Sequence, residues 1–236
     1  MSVIPTLPPG ISLPDVIMAV GGLGTAAFGV LEAMKPVFPV INHIGFGGIS
    51  KAVITLTPVE AGGGAPVNAL PRAKVLDSLR ASWANGNELG NQKAIAKSLI
   101  KLHMSTGNAA VLAAATNVDA ELLTQAAASI AAGTALNQQQ TDAYSRFDLI
   151  VTALLDEVYQ HADQFYRNWM RGLAAAIAVV LSVAGGYVVW SGFQNWGQLL
   201  AAVLVGLLAI PLAPIAKDVA TALSTAVNTM QMFKGK

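Results

Sequence analysis

The chain has 236 residues, no cysteine, 54% hydrophobic and 11% charged residues, and a formal net charge of +1. An ordinary soluble domain carries about 25% charged residues, so this composition excludes a surface wholly solvated by water. The missing thiols exclude a disulfide framework and thiolate chemistry, and the balanced charge gives no electrostatic footprint for nucleic acid.

Residues 1–14 form an N-terminal tail without Lys or Arg, so they lack the basic start of a secretory signal. Residues 15–35 follow, with 16 uncharged positions between Asp15 and Glu32. A span needs about 20 apolar residues. The segment therefore reads as a short or tilted third span, a re-entrant helix or an interfacial helix, the third span being the expectation. Gly21, Gly22, Thr25 and Gly29 make a small-residue face for packing on another helix. Such a span puts Lys35 inside and the tail outside.

Residues 36–71 hold five prolines and six glycines and read as an irregular juxtamembrane linker. Within them "INHIGFGGIS" is apolar enough for a membrane surface, and "EAGGGAP" reads as a flexible linker.

Residues 72–171 read as a helical soluble domain. "PRAKVLDSLRASW" opens a helix on proline. In "NQKAIAKSLIKLHM", Ile95, Leu99 and Leu102 share one face and Lys93, Lys97 and Lys101 the opposite one, which reads first as a solvated face or an intersubunit or partner contact and second as a contact with anionic lipid headgroups or nucleic acid. "NVDAELLTQAAASIAAG" has an Asn cap, early acids and a closing Gly133. Phe147, Ile150, Val151, Leu154, Leu155, Val158, Phe165 and Trp169 then recur at three- and four-residue steps with no break before Gly172. This predicts one long helix running from the soluble domain into the bilayer. Between Arg72 and Lys101 stand six basic and two acidic residues; between Asp119 and Asp163, seven acidic and one basic. Such faces pair within one bundle or between subunits.

Residues 172–216 contain no formal charge over 45 positions. That length fits a transmembrane hairpin, Gly172–Phe193 and Gly197–Ala216, broken by the polar, glycine-bearing "SGFQNWGQ". Arg167, Trp169 and Arg171 mark one membrane interface; Tyr187, Trp190 and Trp196 mark the other. Ala174, Ala178, Ser182 and Gly186, with Ala202 and Gly206, form the helix-packing stripe. Pro211 and Pro214 should kink or loosen the second helix. Residues 217–236 read as a separate amphipathic tail. Positive flanks prefer the cytoplasm, which puts the soluble domain and C-terminus there, in a bacterial inner membrane.

The fold expected is an all-α integral membrane protein with two or three transmembrane helices and a helical cytoplasmic domain. No histidine has a metal spacing such as HExxH, no P-loop lysine follows the glycines, and no GxSxG occurs. His161 with Glu157 and Asp163 is an exposed polar face first and a metal site second; His103 is expected to cap its helix or meet solvent. No cofactor, metal or nucleic acid is expected. The function read is a non-catalytic, self-associating, membrane-anchored scaffold or assembly protein. Its partners are the bilayer, further copies of itself and a cytoplasmic protein. The alternative is an oligomeric pore or membrane-perturbing effector; an enzyme using His161 or His103 ranks last.

Overall fold

The computed structural model describes residues 13–59 and 70–234. Among them every regular element is helical: α1 (Leu13–Met34), a short 3-10 helix (Pro39–His43), α2 (Phe46–Leu56), α3 (Arg72–Ala84), α4 (Leu89–His103), α5 (Ala109–Thr116), α6 (Ala120–Ala131), α7 (Gln138–Val189) and α8 (Trp196–Lys234). The chain divides into two compact units, one from residues 1–38 and 168–236, the other from Pro39 to Arg167. Among the described residues three helices are long and apolar enough to cross a membrane: Pro14–Met34, the apolar part of α7, and Trp196–Ala222.

The unit from Pro39 to Arg167 has one core. Phe147, Val151, Leu155 and Tyr159 recur every four residues along α7 and are buried against α2 to α6. Residues four apart lie one above another on a helix, so this spacing makes a continuous apolar ridge. The linker read over 36–71 is corrected here, because it contains α2. Phe46, Ile49, Val53 and Leu56 are buried at helical spacing. Glycines and β-branched residues disfavour this helix intrinsically, but burial of four large side chains outweighs propensities of under about 1 kcal/mol each. "INHIGFGGIS" thus turns its apolar face into protein rather than lying on a membrane. Gly45 begins the helix with φ 93°, and a Cβ there would sit 2.7 Å from the Ala162 carbonyl oxygen and 3.0 Å from the Trp83 ring. Only glycine meets both demands. The "EAGGGAP" linker, 60–66, lies outside the described residues.

The capping assignments shift by one or two positions. Pro71 precedes α3 with ψ 140°, so it caps the helix instead of opening it. Asp119, not Asn117, caps α6, accepting from Leu122 N at 2.8 Å. Asn117 takes φ 50° and closes α5, because Asn tolerates the left-handed region that ends a helix.

In the other unit, α7 gives way at Trp190 to a turn in which Gly192, at φ 101°, donates its N–H to Tyr187 O at 2.8 Å. The separate tail read over 217–236 is not seen: α8 runs unbroken through Pro211, Pro214 and Lys217 to Lys234. Nothing after Pro214 stops it. The following turns contain no Gly or Pro, and Thr221 donates its hydroxyl back to Lys217 O at 2.9 Å.

Candidate functional site

The apolar unit is held by close backbone contact. Ser182 of α7 donates its hydroxyl to Ala202 O of α8 at 2.7 Å. Ala174 and Ala178 are fully buried, as is Ala202 nearly so. A Cβ on Gly206 would overlap the Val179 backbone and lie 3.0 Å from Ala178 O; one on Gly186 would meet Ala202 Cβ at 3.3 Å. Ala178, Ser182, Gly186, Ala202 and Gly206 therefore come together at one α7–α8 seam, and Ala174 is buried one turn before Ala178.

On α1 the packing face differs from the one expected. Gly21 and Gly24 press against α8, where a Cβ on Gly21 would lie 2.7 Å from Leu212 O and one on Gly24 would overlap Ala209 O. Ala27 and Leu31 continue that buried face. Around Gly22 and Gly29 the space is open, and Thr25 is exposed, its hydroxyl turned back to Gly21 O at 3.1 Å. The face thus repeats at 21, 24, 27 and 31, the three- and four-residue rhythm of a helix seam. Rising numbers in α1 meet falling numbers in α8, so the two helices are antiparallel there and α1 shares its sense with the apolar half of α7. This corrects the expectation that Lys35 lies on the side of Arg171. That expectation came from alternating spans along the chain, whereas the sense is set by which glycines fit against Ala209 and Ala216.

The expected interface residues fall at the two ends of the α7–α8 pair. At the turn, Phe193 stacks with Tyr187 and Trp190, ring centres 6.0 and 5.9 Å apart. Tyr187 and Trp196 are exposed, Trp190 half-buried. At the other end Trp169 and Arg171 are exposed. Arg171 joins Lys217 in lining a groove of about 760 Å³ with Thr25, Phe28, Ile210, Pro211, Ala213 and Pro214. The sequence marks Arg171 as an interface residue and Lys217 as the close of the uncharged run, but does not show that they line one groove. The available signal was the hairpin itself, which folds the two limits of the run together. In the other unit, Arg167 is exposed and pairs with Asp163 at 2.8 Å.

The lysine stripe is also corrected. Lys93 pairs with Asp156, and Lys97 and Lys101 reach Asp148 at 2.6 and 3.0 Å. These side chains face α7 rather than lipid or a partner. Ile95 and Leu102, expected to be inward, are 41% and 66% exposed. Gln92, Ala96, Ile100 and His103 are buried instead. The core side of α4 is made of small and polar groups, which hydropathy alone does not mark. Burial would raise the Asp148 carboxyl, but the hydrogen bond from Lys97 and the adjacent Lys101 ammonium hold it below its usual 3.8. Burial would lower Lys101, but Asp148 and Tyr144 raise it above 10.5.

These shifts give a pH window. Asp148 contributes stability above its unfolded pKa that is lost as pH falls through the native value; Lys101 contributes stability below 10.5 that is lost as pH rises through its native value. Asp148→Asn should cost about 1–2 kcal/mol at neutral pH by leaving two ammonium groups without their counter-charge. Thermal melts of the full chain in detergent check this. The deficit should shrink in acid, where wild-type Asp148 also protonates; a deficit independent of pH would contradict the ion-pair account.

His103 neither caps α4 nor meets solvent. It is 2% exposed, with Nε2 2.9 Å from Pro58 O, while Asn108 donates to its carbonyl at 2.6 Å. The same corner is held by Arg72, which donates to Thr57 O from two nitrogens. His103 therefore fastens the end of α2 to α4. His161 and Glu157 are exposed, and among the described residues no three His, Cys, Asp or Glu side chains gather as a metal site. Burial pushes the Tyr159 phenol up to about 12, and its hydroxyl has no partner among the described residues.

Comparison with known protein families, characterised proteins and solved structures finds no match.

Proposed function

We propose that this chain is an integral membrane scaffold that self-associates through α1 and carries no catalytic centre. The observation that supports it is the outward face of α1. Gly22, Ala26, Gly29 and Ala33 are exposed at three- and four-residue spacing, and nothing stands within 4 Å of a Cβ on Gly22 or Gly29. The inward face of the same helix uses small residues of like spacing to approach α8. In lipid, helices gain little from apolarity and associate where small residues let backbones come close. A second copy of α1 is the occupant that such a face fits.

The bilayer reading rests on three long apolar helices whose outer surfaces expose Val180, Val188, Leu200, Leu204 and Leu208. The turn at 190–195 has no Lys or Arg, while Arg171 and Lys217 stand together at the opposite end. By the positive-inside preference the turn faces outward and the Arg171 end faces the cytoplasm of a bacterial inner membrane. Leu102, exposed on α4, is an apolar contact point for a protein partner of the Pro39–Arg167 unit. The pore alternative has less behind it, since the Ser182 hydroxyl is engaged by Ala202 O and leaves no polar lining there.

The natural chain has no cysteine, so a single introduced thiol reports proximity cleanly. Gly29→Cys should form disulfide-linked dimers in native membranes under mild oxidant, and Leu208→Cys should not. Gly22→Leu added to Gly29→Cys should abolish the dimer. Equal cross-linking at positions 29 and 208, or none at 29, would remove α1 as the self-association face.

A further inference from the structure

We propose that the groove between α1, α7 and α8 is a binding site for one anionic phospholipid, resting on the membrane reading above. Its lining is polarised. Along α8 it runs from Lys217 through Pro214 and Ala213 to Pro211 and Ile210; along α1 it runs from Thr25 to Phe28. Because α1 and α8 are antiparallel, Lys217 and Arg171 stand at one end, and Phe28 and Ile210 lie deeper along the helices. That is the layout of an acidic headgroup followed by an acyl chain. Basic pockets between membrane helices on the cytoplasmic side are suited to such lipids.

The charges are available. Neither Arg171 nor Lys217 has a carboxylate within 4 Å among the described residues, and no Asp or Glu lines the groove. Asp218, next in sequence, is exposed and is not part of the lining. By contrast, Lys97 and Lys101, the cations one turn apart on α4, are already turned toward Asp148. A phosphodiester accepts from a guanidinium fork and from an ammonium simultaneously, and carries a charge that neither Thr25 nor the apolar lining opposes.

The prolines shape the cleft. Each lacks an N–H, so the carbonyls of Leu207 and Ile210 lose their usual helical donors. The volume, about 760 Å³, admits a headgroup and the upper part of one chain, but not a protein helix with its side chains.

The test uses the full chain in lipid nanodiscs of phosphatidylcholine with and without phosphatidylglycerol, followed by release into detergent and counting of retained lipids by native mass spectrometry. Wild type should retain phosphatidylglycerol over phosphatidylcholine by about thirtyfold, the value of two surface cations at about 1 kcal/mol each. Arg171→Gln with Lys217→Gln should lose that preference, Arg171→Lys with Lys217→Arg should keep it, and Arg146→Gln on the other unit should leave it unchanged. Millimolar inorganic phosphate should not displace the lipid; displacement would mean that free phosphate, not lipid, is the ligand. No preference in wild type, or an undiminished one in the double Gln variant, overturns the site. Failure of the chain to enter phosphatidylcholine discs at all would instead overturn the membrane reading.

Discussion

Gly206→Val should detach α8 from α7. The Cβ it introduces has no side chain to push aside: the nearest atoms are the Val179 backbone and the Ala178 carbonyl. Backbone in a helix cannot rotate away, so the pair must separate or tilt, breaking the Ser182 hydrogen bond to Ala202 O on the same seam. Overpacking of a tight contact costs typically 1–3 kcal/mol, and here the loss of the neighbouring contacts takes the expected cost to at least about 3 kcal/mol. Gly185→Val is the control. Nothing lies within 4 Å of its Cβ, so its effect should stay within about 0.5 kcal/mol. Gly186→Ala falls between them, because its Cβ would meet the Trp190 ring at 2.9 Å, and a ring at the edge of a turn has room to shift. Thermal unfolding in detergent ranks the three. An order other than 206, then 186, then 185 would show that the seam is not held by backbone approach. A Gly206→Val protein as stable as wild type would make the hairpin two independent helices.

The α7–α8 seam was legible because the signal is one-dimensional. A long uncharged run, a polar break and small residues every fourth position are properties of the chain itself, and the hairpin follows from them. The α1 seam was legible only in kind. Its segment contains Gly21, Gly22, Gly24 and Gly29, and composition does not say which of them meets a partner; the answer depends on where Ala209 and Ala216 stand on another helix. The same limit explains α4. Opposite-charge segments pointed to pairing, but the rotation of α4 was misread because Ile95 and Leu102 are more hydropathic than Gln92 and His103. Gln92 and His103 are buried because backbone acceptors reach them, Asn87 O at 2.6 Å and Pro58 O at 2.9 Å. A polar side chain with a buried partner is cheap to bury, and the partner is invisible until the fold brings it near. The groove was readable last of all, since its residues come from three separated segments of sequence.

Trp83→Ala should release α2 from the core of the Pro39–Arg167 unit. Trp83 is the fastening between a segment with weak helical tendency and the ridge of α7. Its indole N–H donates to Ile44 O at 3.1 Å, its ring lies beside Gly45, and its faces meet Tyr159 and Tyr166 with centroids 6.4 and 6.3 Å apart. Removing a buried Trp side chain costs about 3–5 kcal/mol, and Ile44 O loses its donor besides. Trp83→Phe keeps a ring against the two tyrosines and should cost about 1–2 kcal/mol. Hydrogen exchange locates the effect. Amides of Phe46–Leu56 should exchange faster in Trp83→Ala, while those of the α7 ridge near Phe147, at the far end of the core, should change least. The physical reason is that α2 has little stability of its own: Gly47 and Gly48 lie in its first turn, and Ile49, Val53, Ile54 and Thr55 are β-branched. Unchanged protection across α2 in Trp83→Ala would mean that Ile49, Val53 and Leu56 hold the helix without the indole, and that its start is set by Gly45 alone.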